Sequence, residues 1–274
     1  GGACVVIPGE YQPPVVHAIA HAINTTLGAA GRTVVYTELV NLDPTAGIAP
    51  LAALAEEMAA GAVQLLVIID ANPVYDAPGN LNFAELLGRV PLSVHLGLYA
   101  DETGAASTWH LPQSYYLEAW GDTRAFDGTV TIQQPLIAPL YDSRSPIELI
   151  NMLTGNPSTG FETVQAYWQS QNLPGDFATT WQQILHDGLI PNTAVAARSV
   201  TLREDFASAP GAPAGEGLEI VFRPDPIVHD GYFANNGWLQ ETPKPFTKLV
   251  WDNSAQMSVA TAQRLGVNNG DVVA

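Results

Sequence analysis

The sequence predicts an α/β fold with a doubly wound, mostly parallel sheet over residues 1–155, followed by a helical segment and a mostly β C-terminal segment. Two observations carry this prediction. Apolar segments rich in β-branched residues alternate with segments of helical periodicity, and the segment LLVII at 65–69 is apolar at every position. A continuous apolar strand is typical of a parallel sheet covered on both faces. Alternation of strands and helices favours the doubly wound arrangement.

The elements of the first half follow from composition and spacing. Strands are predicted at 4–7, 33–37, 65–69 and 92–96, and helices at 15–27, 51–60 and 82–87. Pro13 and Pro14 suit the first turn of a helix. Gly28 and Gly61 follow the first two helices, where glycine is a common stop.

The second half has a different character. Residues 156–206 are predicted as a helical continuation, with helices at 160–171 and 175–186 that turn Trp168 and Trp181 inward. Residues 207–217 (ASAPGAPAGEG) have the composition of a linker. A strand is predicted at 218–223, and a mostly β segment from 235. The last residues, 270–274, have the pattern of a strand that is just beginning, so we expect the chain to be a piece of a longer protein.

Composition excludes several classes of function. The 274 residues, 47% hydrophobic and 14% charged, are enough for about two packed domains. The formal net charge of −17 repels phosphate backbones and anionic lipids, which argues against nucleic-acid binding and an electrostatic membrane anchor. No apolar run approaches the roughly 20 residues of a membrane helix. The single cysteine, Cys4, excludes a disulfide, a CxxC zinc site or a cysteine-ligated iron–sulfur cluster within these residues.

Two histidines are spaced as metal ligands can be. His17 and His21 lie four residues apart on a predicted helix, but no third ligand stands beside them and their neighbours are apolar. We therefore interpret them as packing or capping residues near the edge of the sheet.

Conventional cofactor and nucleophile motifs are not found. The turn after the first predicted strand is Pro8-Gly9-Glu10, which places an acidic side chain where a dinucleotide pyrophosphate would lie, so an NAD site is not expected. Gly28 to Gly31 precedes a predicted strand and is interpreted as a helix cap and turn. The sequence has no Gly-x-Ser-x-Gly elbow for nucleophilic hydrolysis.

Polar residues follow two predicted strands at their carboxyl ends. Asp70 and Asn72 come after 65–69, and Asn72 either presents its amide to a ligand or turns the chain before Pro73. Asp101 and Glu102 follow the next strand, with His110 nearby. These three could carry acid–base chemistry, but we favour a helix cap at Asp101.

Long strings of the sequence resemble a known family. They are the opening QPPVVHA, the string over 63–150 that begins VQLLVIIDANPVYDAPGN and ends PLYDSRSPIELI, and the tail WLQETPKPFTKLVWDNSAQMSVATAQRLGVNNGDVV. All resemble the molybdopterin oxidoreductase superfamily and, more narrowly, the molybdopterin-oxidoreductase-like module in the large subunit of bacterial alternative complex III. The resemblance covers most of the chain except about 156–215.

The resemblance implies a fold and a vestigial groove. Residues 218–274 would be the start of a double-psi β-barrel. Asn72 and Pro73 match the segment that lies along the pterin in active relatives, and Glu118 and Gly121 match their "LP…E…G" frame. Thr108 to His110 departs from the Ala-Asp of active members, so no catalytic residue, metal, molybdenum or pterin is expected in this part of the protein.

The function implied is that of a non-catalytic, cofactor-free structural module in a respiratory or photosynthetic quinol:cytochrome c or electron-acceptor oxidoreductase. The electron relay would lie in 4Fe-4S and 3Fe-4S clusters elsewhere in the parent subunit. The implied partners are haem-c and quinol-binding integral membrane subunits. The module would be peripheral, on the periplasmic face of the bacterial inner membrane.

Two alternatives stay open. The chain could be the second half of the cofactor-binding region of an active molybdopterin-dependent oxidoreductase. It could also be a stand-alone α/β binding protein, although an incomplete barrel argues against that.

Overall fold

The computed structural model describes residues 3–40, 47–206 and 217–273. The chain divides into two compact units, Gly1–Gly217 and Leu218–Ala274. The helices are α1 Pro14–Thr26, α2 Ala49–Ala59, α3 Pro73–Asp76, α4 Phe83–Leu87, α5 Glu102–Ala106, α6 Pro146–Leu153, α7 Gly160–Ser170, α8 Phe177–Asp187, α9 Gly237–Glu241 and α10 Val259–Leu265, with a 3₁₀ turn at Gly79–Leu81. The strands are β1 Leu65–Ile69, β2 Leu92–Gly97, β3 Trp109–Pro112, β4 Gly121–Arg124, β5 Val130–Gln133 and β6 Leu189–Ile190.

A three-stranded parallel sheet forms the first core of the larger unit. Its order is β1-β2-β3, with Val67 opposite Val94 and Val94 opposite Trp109. The coarse prediction of a mixed α/β chain with a parallel sheet is therefore confirmed. The strands predicted at 65–69 and 92–96 and the helix predicted at 51–60 are found within one or two residues.

One face of this sheet is packed and the opposite face is more open. Ile68 lies in a core with Met58 of α2 and Leu87 of α4. Side chains alternate along a strand, so residues one position away point to the other face. On that face Leu65, Leu92 and Trp109, at the amino ends of their strands, are between 39% and 62% exposed, whereas Leu96 is fully buried. The expectation that LLVII is covered on both faces is therefore met only in part, because Leu65 is exposed and Val67 and Ile69 are half-buried.

A second, antiparallel sheet that the sequence did not predict has the order β4-β5-β6. Val130 and Ile132 of β5 pack against α7 and α8 through Trp168 and Trp181, both 4% exposed, which confirms the predicted inward direction of the two indoles. The indole nitrogen of Trp168 donates to Asp122 Oδ2 at 2.6 Å and ties α7 to β4.

The predicted strand at 4–7 is extended but joins no sheet. The side chain of Asn24 in α1 replaces a strand partner, because its Oδ1 accepts from Val6 N and its Nδ2 donates to Val6 O, both at 2.8 Å. The exposed Cys4 accepts from Thr33 Oγ1 through its carbonyl, at 2.6 Å. The strand predicted at 33–37 is reduced to isolated bridges, including one from Tyr36 to Arg198.

The strand predicted at 218–223 is wrong, and residues 271–273 form no strand either. Around 235 the chain begins helix α9 instead of a β segment, because the side chain of Asn236 caps it by accepting from Leu239 N at 3.2 Å. Residues 207–216 of the predicted linker lie outside the described residues. Within the part of the chain that is described, no helix has both the length and the apolar character needed to cross a bilayer.

Candidate functional site

The carboxyl edge of the parallel sheet brings together the polar residues that the sequence singled out. Because β1 and β2 are parallel, the loops that follow them emerge at the same edge. Asp70 directly follows β1 and adopts a left-handed conformation (φ 51°), while its N–H still donates to Leu96 O at 2.9 Å. The chain then turns back towards α5.

Asn72 is the centre of this edge. Its Oδ1 accepts from Thr103 N at 3.1 Å and from Thr103 Oγ1 at 2.7 Å, and its Nδ2 donates to Glu102 Oε2 at 2.8 Å. The hydroxyl of Thr103, a fully buried residue, also accepts from Val74 N at 3.0 Å. Asn72 therefore clamps the loop after β1 to helix α5, and its amide is occupied by the protein itself.

The two adjacent carboxylates have structural partners. Asp101 caps α5 by accepting from Gly104 N at 2.8 Å, so the predicted helix cap is confirmed. The hydrogen bond from Asn72 lowers the pKa of the exposed Glu102 below its ordinary value. Glu102 is thus held ionised at the edge of the site.

A pair of histidines lies beneath α5. His95 of β2 and His110 of β3 are opposite each other in the register, and their Nδ1 atoms are 3.0 Å apart. One Nδ1 must carry a proton and the other must be free for this hydrogen bond to form. Asp101 Oδ1 is 3.9 Å from His95 Nδ1. Sequence reasoning noted His110 and missed His95, although two strand histidines were the available signal.

The environment of His95 disfavours the protonated, positively charged form of its imidazole. Burial lowers the pKa of this imidazole below 6.5, Asp101 acts in the opposite direction, and His110 lowers it further. Two glycines fit closely against the rings: a Cβ on Gly97 would lie 2.5 Å from His95 Cε1, and a Cβ on Gly104 would lie 3.0 Å from His110 Nδ1. The pair is therefore tightly enclosed.

Glu118 and Gly121 lie in a different neighbourhood. Glu118 Oε2 accepts from Tyr115 N at 2.9 Å and Oε1 from Leu140 N at 3.0 Å, which holds two loop segments together. Gly121 begins β4 opposite Gln133. None of the hydrogen bonds of Glu118 in the described structure reaches the Asn72 cluster.

Of the two α1 histidines, His21 contacts an aromatic side chain. His21 Nδ1 is 3.0 Å from Tyr36 Oη, and the two rings meet edge to face with centroids 5.4 Å apart. Among the described residues no group of three or more His, Cys, Asp or Glu side chains is arranged to hold a metal ion.

The carboxyl edge of the parallel sheet carries more negative than positive charge. Asp70, Asp101 and Glu102 lie there, and between Arg32 and Arg124 the sequence has a single lysine or arginine, Arg89, which pairs with Glu85. Arg144 also lies at this edge, because its N–H donates to Pro112 O at the end of β3, but its guanidinium pairs with Asp142. A phosphate group at this edge would meet three carboxylates and cations that are already paired, which is a poor fit for a phosphate-bearing pterin.

Comparisons with known proteins give structural neighbours but no family. No family model matches the chain, and no curated protein matches it. Among solved structures it is similar to acetylene hydratase from Pelobacter acetylenicus, with a TM-score of 0.34 and 17% identity over 38% of this chain and 16% of that one. The chain thus matches less than a fifth of that protein, and a likeness of this size does not bear on function.

Proposed function

We propose that this chain is a non-catalytic structural module of a membrane-bound quinol:electron-acceptor oxidoreductase of the alternative complex III type. Its parallel sheet would belong to a doubly wound, molybdopterin-oxidoreductase-like domain, and residues 218–274 would begin a double-psi β-barrel. Iron–sulfur clusters in a separate domain of the parent subunit carry the electrons. This module docks that domain and the haem-c and quinol-binding subunits at the periplasmic face of the membrane.

The observation that carries the proposal is the self-contained hydrogen bonding of Asn72. Asn72 matches the segment that lies along the pterin in active members of the family that the sequence resembles. In this chain its amide makes three hydrogen bonds to Thr103 and Glu102. A ligand would have to displace these bonds and approach three carboxylates. An amide whose oxygen and nitrogen are both hydrogen-bonded within the protein stabilises the fold and offers little to a substrate.

The open face of the parallel sheet also supports a docking role. Leu65, Leu92 and Trp109 lie on one face and are substantially exposed. Exposed apolar side chains on a sheet face are typical of surfaces that pack against another polypeptide. The sheet therefore has the character of an element inside a larger assembly.

The test is the metal and pterin content of the intact parent protein, measured element by element with a pterin fluorescence assay on the same sample. We expect iron without molybdenum, tungsten or pterin. Stoichiometric molybdenum with pterin would overturn the proposal and favour the alternative, an active molybdopterin-dependent oxidoreductase.

A variant at Asn72 sharpens the test. Asn72→Ala removes three hydrogen bonds, each worth about 1 kcal/mol, and should lower the melting temperature by several degrees. We expect the iron content of the parent protein to stay unchanged. The matched control is Asn80→Ala, because Asn80 is exposed and no side-chain hydrogen bond of it is seen in the described structure. Loss of bound pterin in Asn72→Ala, but not in the control, would identify Asn72 as a cofactor contact.

A further inference from the structure

A second surface of the larger unit is apolar and exposed, and we call it the tyrosine patch. It consists of Tyr99, Tyr115, Tyr116, Leu136, Ile137 and Leu140, which are between 45% and 75% exposed. Single exposed apolar residues need no explanation, but a contiguous group of this kind is typical of a protein interaction site.

Backbone geometry brings the members of the patch together. Tyr99 follows β2 and Tyr115 follows β3 at the same edge of the parallel sheet, and Gln113 N donates to Gly97 O at 3.0 Å. The rings of Tyr115 and Tyr116 have centroids 4.4 Å apart. Partial burial raises the pKa of Tyr115, and the nearby Tyr116 and Tyr99 raise it further.

The leucine side of the patch is attached through Leu117 and Glu118. Leu136 N donates to Leu117 O at 2.8 Å, and Leu140 N donates to Glu118 Oε1 at 3.0 Å. Because the same carboxylate accepts from Tyr115 N, Glu118 holds the aromatic and aliphatic halves side by side. This gives Glu118 a defined structural task.

The surroundings of the patch are negative. Glu102 follows Tyr99 by three residues, and Asp142, which is 91% exposed, follows Leu140 by two. Over residues 97–144 the sequence has two cations, Arg124 and Arg144. Arg144 pairs with Asp142 at 2.7 Å, and Arg124 donates to Gly128 O at 3.0 Å on the β4–β5 hairpin.

We propose that the tyrosine patch docks a protein partner whose surface presents lysine or arginine side chains around an apolar centre. Tyrosine supplies apolar area together with a face that attracts cations, and the acidic rim steers and orients a basic partner. A second copy of this chain fits poorly, because like-charged rims would oppose each other and the whole chain carries a net charge of −17. This inference rests on the proposed docking function and names one surface and the chemistry of its partner.

The experiment uses a fluorescein-labelled peptide of lysine and leucine, about a dozen residues long, and measures fluorescence anisotropy with the intact chain. A second peptide with serine in place of every leucine carries the same charge. We expect the lysine–leucine peptide to bind more tightly. The triple variant Tyr99→Ser, Tyr115→Ser, Tyr116→Ser should weaken that binding about tenfold or more without changing the net charge. Binding should also weaken as salt is raised to about 0.15 M.

Phe126→Ser is the matched control, since Phe126 is an exposed aromatic residue outside the patch. Asp142→Asn is a second variant that leaves every aromatic residue in place, and it should weaken binding at low salt. The proposal is overturned if the triple variant binds as well as the wild-type chain, if both peptides bind equally, or if the patch variants abolish a self-association seen by sedimentation. None of these results changes the metal and pterin content, so failure here is distinct from failure of the proposed function.

Discussion

At the scale of single residues, Asn72 lies in a sequence motif that suggested a ligand contact or a turn, and its side chain has a structural role as well. The sequence left two interpretations open, presentation of the amide to a ligand or a turn before Pro73. The structure adds a third, because Asn72 joins the loop after β1 to helix α5 through Thr103 and Glu102. Thr103 lies about 30 residues further along the chain, so spacing alone does not reveal this partner.

The burial of His95 predicts that the protein becomes less stable as the pH falls below neutral. His95 has a folded-state pKa below 6.5 because it is buried, and Asp101, Asp70 and His110 are the titratable groups that influence it. The unfolded chain then binds the proton more tightly than the folded chain. The free energy of unfolding should therefore be constant above about pH 7 and decrease as the pH falls through 6.5, by at most about 1.4 kcal/mol per pH unit.

Urea unfolding at several values between about pH 5.5 and 7.5 checks this prediction. His95→Gln should flatten the decrease on the acid side. His186→Gln is the control, since His186 is exposed beside Asp187. If His95→Gln kept the full slope of the wild type, the decrease would have to come from other groups.

At the scale of elements, helix α5 is a five-residue helix seated on the histidine pair through a glycine. Replacing glycine with alanine inside a helix ordinarily stabilises a protein by about 1 kcal/mol. At Gly104 the new Cβ would lie 3.0 Å from His110 Nδ1 and 3.1 Å from His95 Nδ1. We therefore expect Gly104→Ala to lower the free energy of unfolding by about 1–3 kcal/mol, with the opposite sign to the propensity.

Thermal melting of Gly104→Ala measures this effect. The same substitution made in a His110→Ala variant tests its cause. In a His110→Ala chain the space beside Gly104 opens, so adding Gly104→Ala there should cost much less than in the wild type. Equal cost in both backgrounds would show that the ring of His110 is not the cause, and would leave the contact with His95 to account for it.

Elements with a strong internal pattern were predictable, and those that depend on a distant partner were not. The apolar strand at 65–69 and the helix at 160–171 were found because composition and periodicity are local properties. The strand predicted at 4–7 has the right composition but bonds to the side chain of Asn24. The β4–β5 hairpin was missed because Gly121–Arg124 has no apolar residue and only one face of β5 is buried.

The candidate site was predictable to a similar degree. Strand ends pointed to Asp70, Asn72 and Asp101, and the cap at Asp101 was expected from its position before a helix. His95 was missed because it lies within the strand LSVHLG, where burial and register decide its role. In the second unit, strand-like composition at 218–223 was misleading, since a strand needs a neighbour to pair with.

At the scale of the whole molecule, the excess of 27 acidic over 10 basic residues stores electrostatic repulsion. The ion pairs of Arg203 with Asp205 and of Arg144 with Asp142 have exposed partners and contribute little, whereas the pair of Lys244 with Asp225 is largely buried. Raising NaCl from about 0.01 M to about 0.15 M should therefore raise the melting temperature by a few degrees, because salt screens the repulsion.

Differential scanning fluorimetry with NaCl and KCl checks this prediction, and the two salts should act equally. A rise with sulfate alone would point to exclusion of the salt from the surface rather than to screening. A fall in melting temperature with NaCl would mean that the ion pairs outweigh the repulsion.

The two sheets of the larger unit differ in how far apart their paired residues lie along the chain, and this sets an order of assembly. Val94 pairs with Trp109, whereas Val130 pairs with Ile190 across α6, α7 and α8. Shorter loops close with less entropic cost and generally sooner. During synthesis, the parallel sheet can thus close once residue 112 has emerged, while the second sheet must wait for β6. Burial of Trp168 and Trp181 then marks the later step, and their fluorescence distinguishes it from the first.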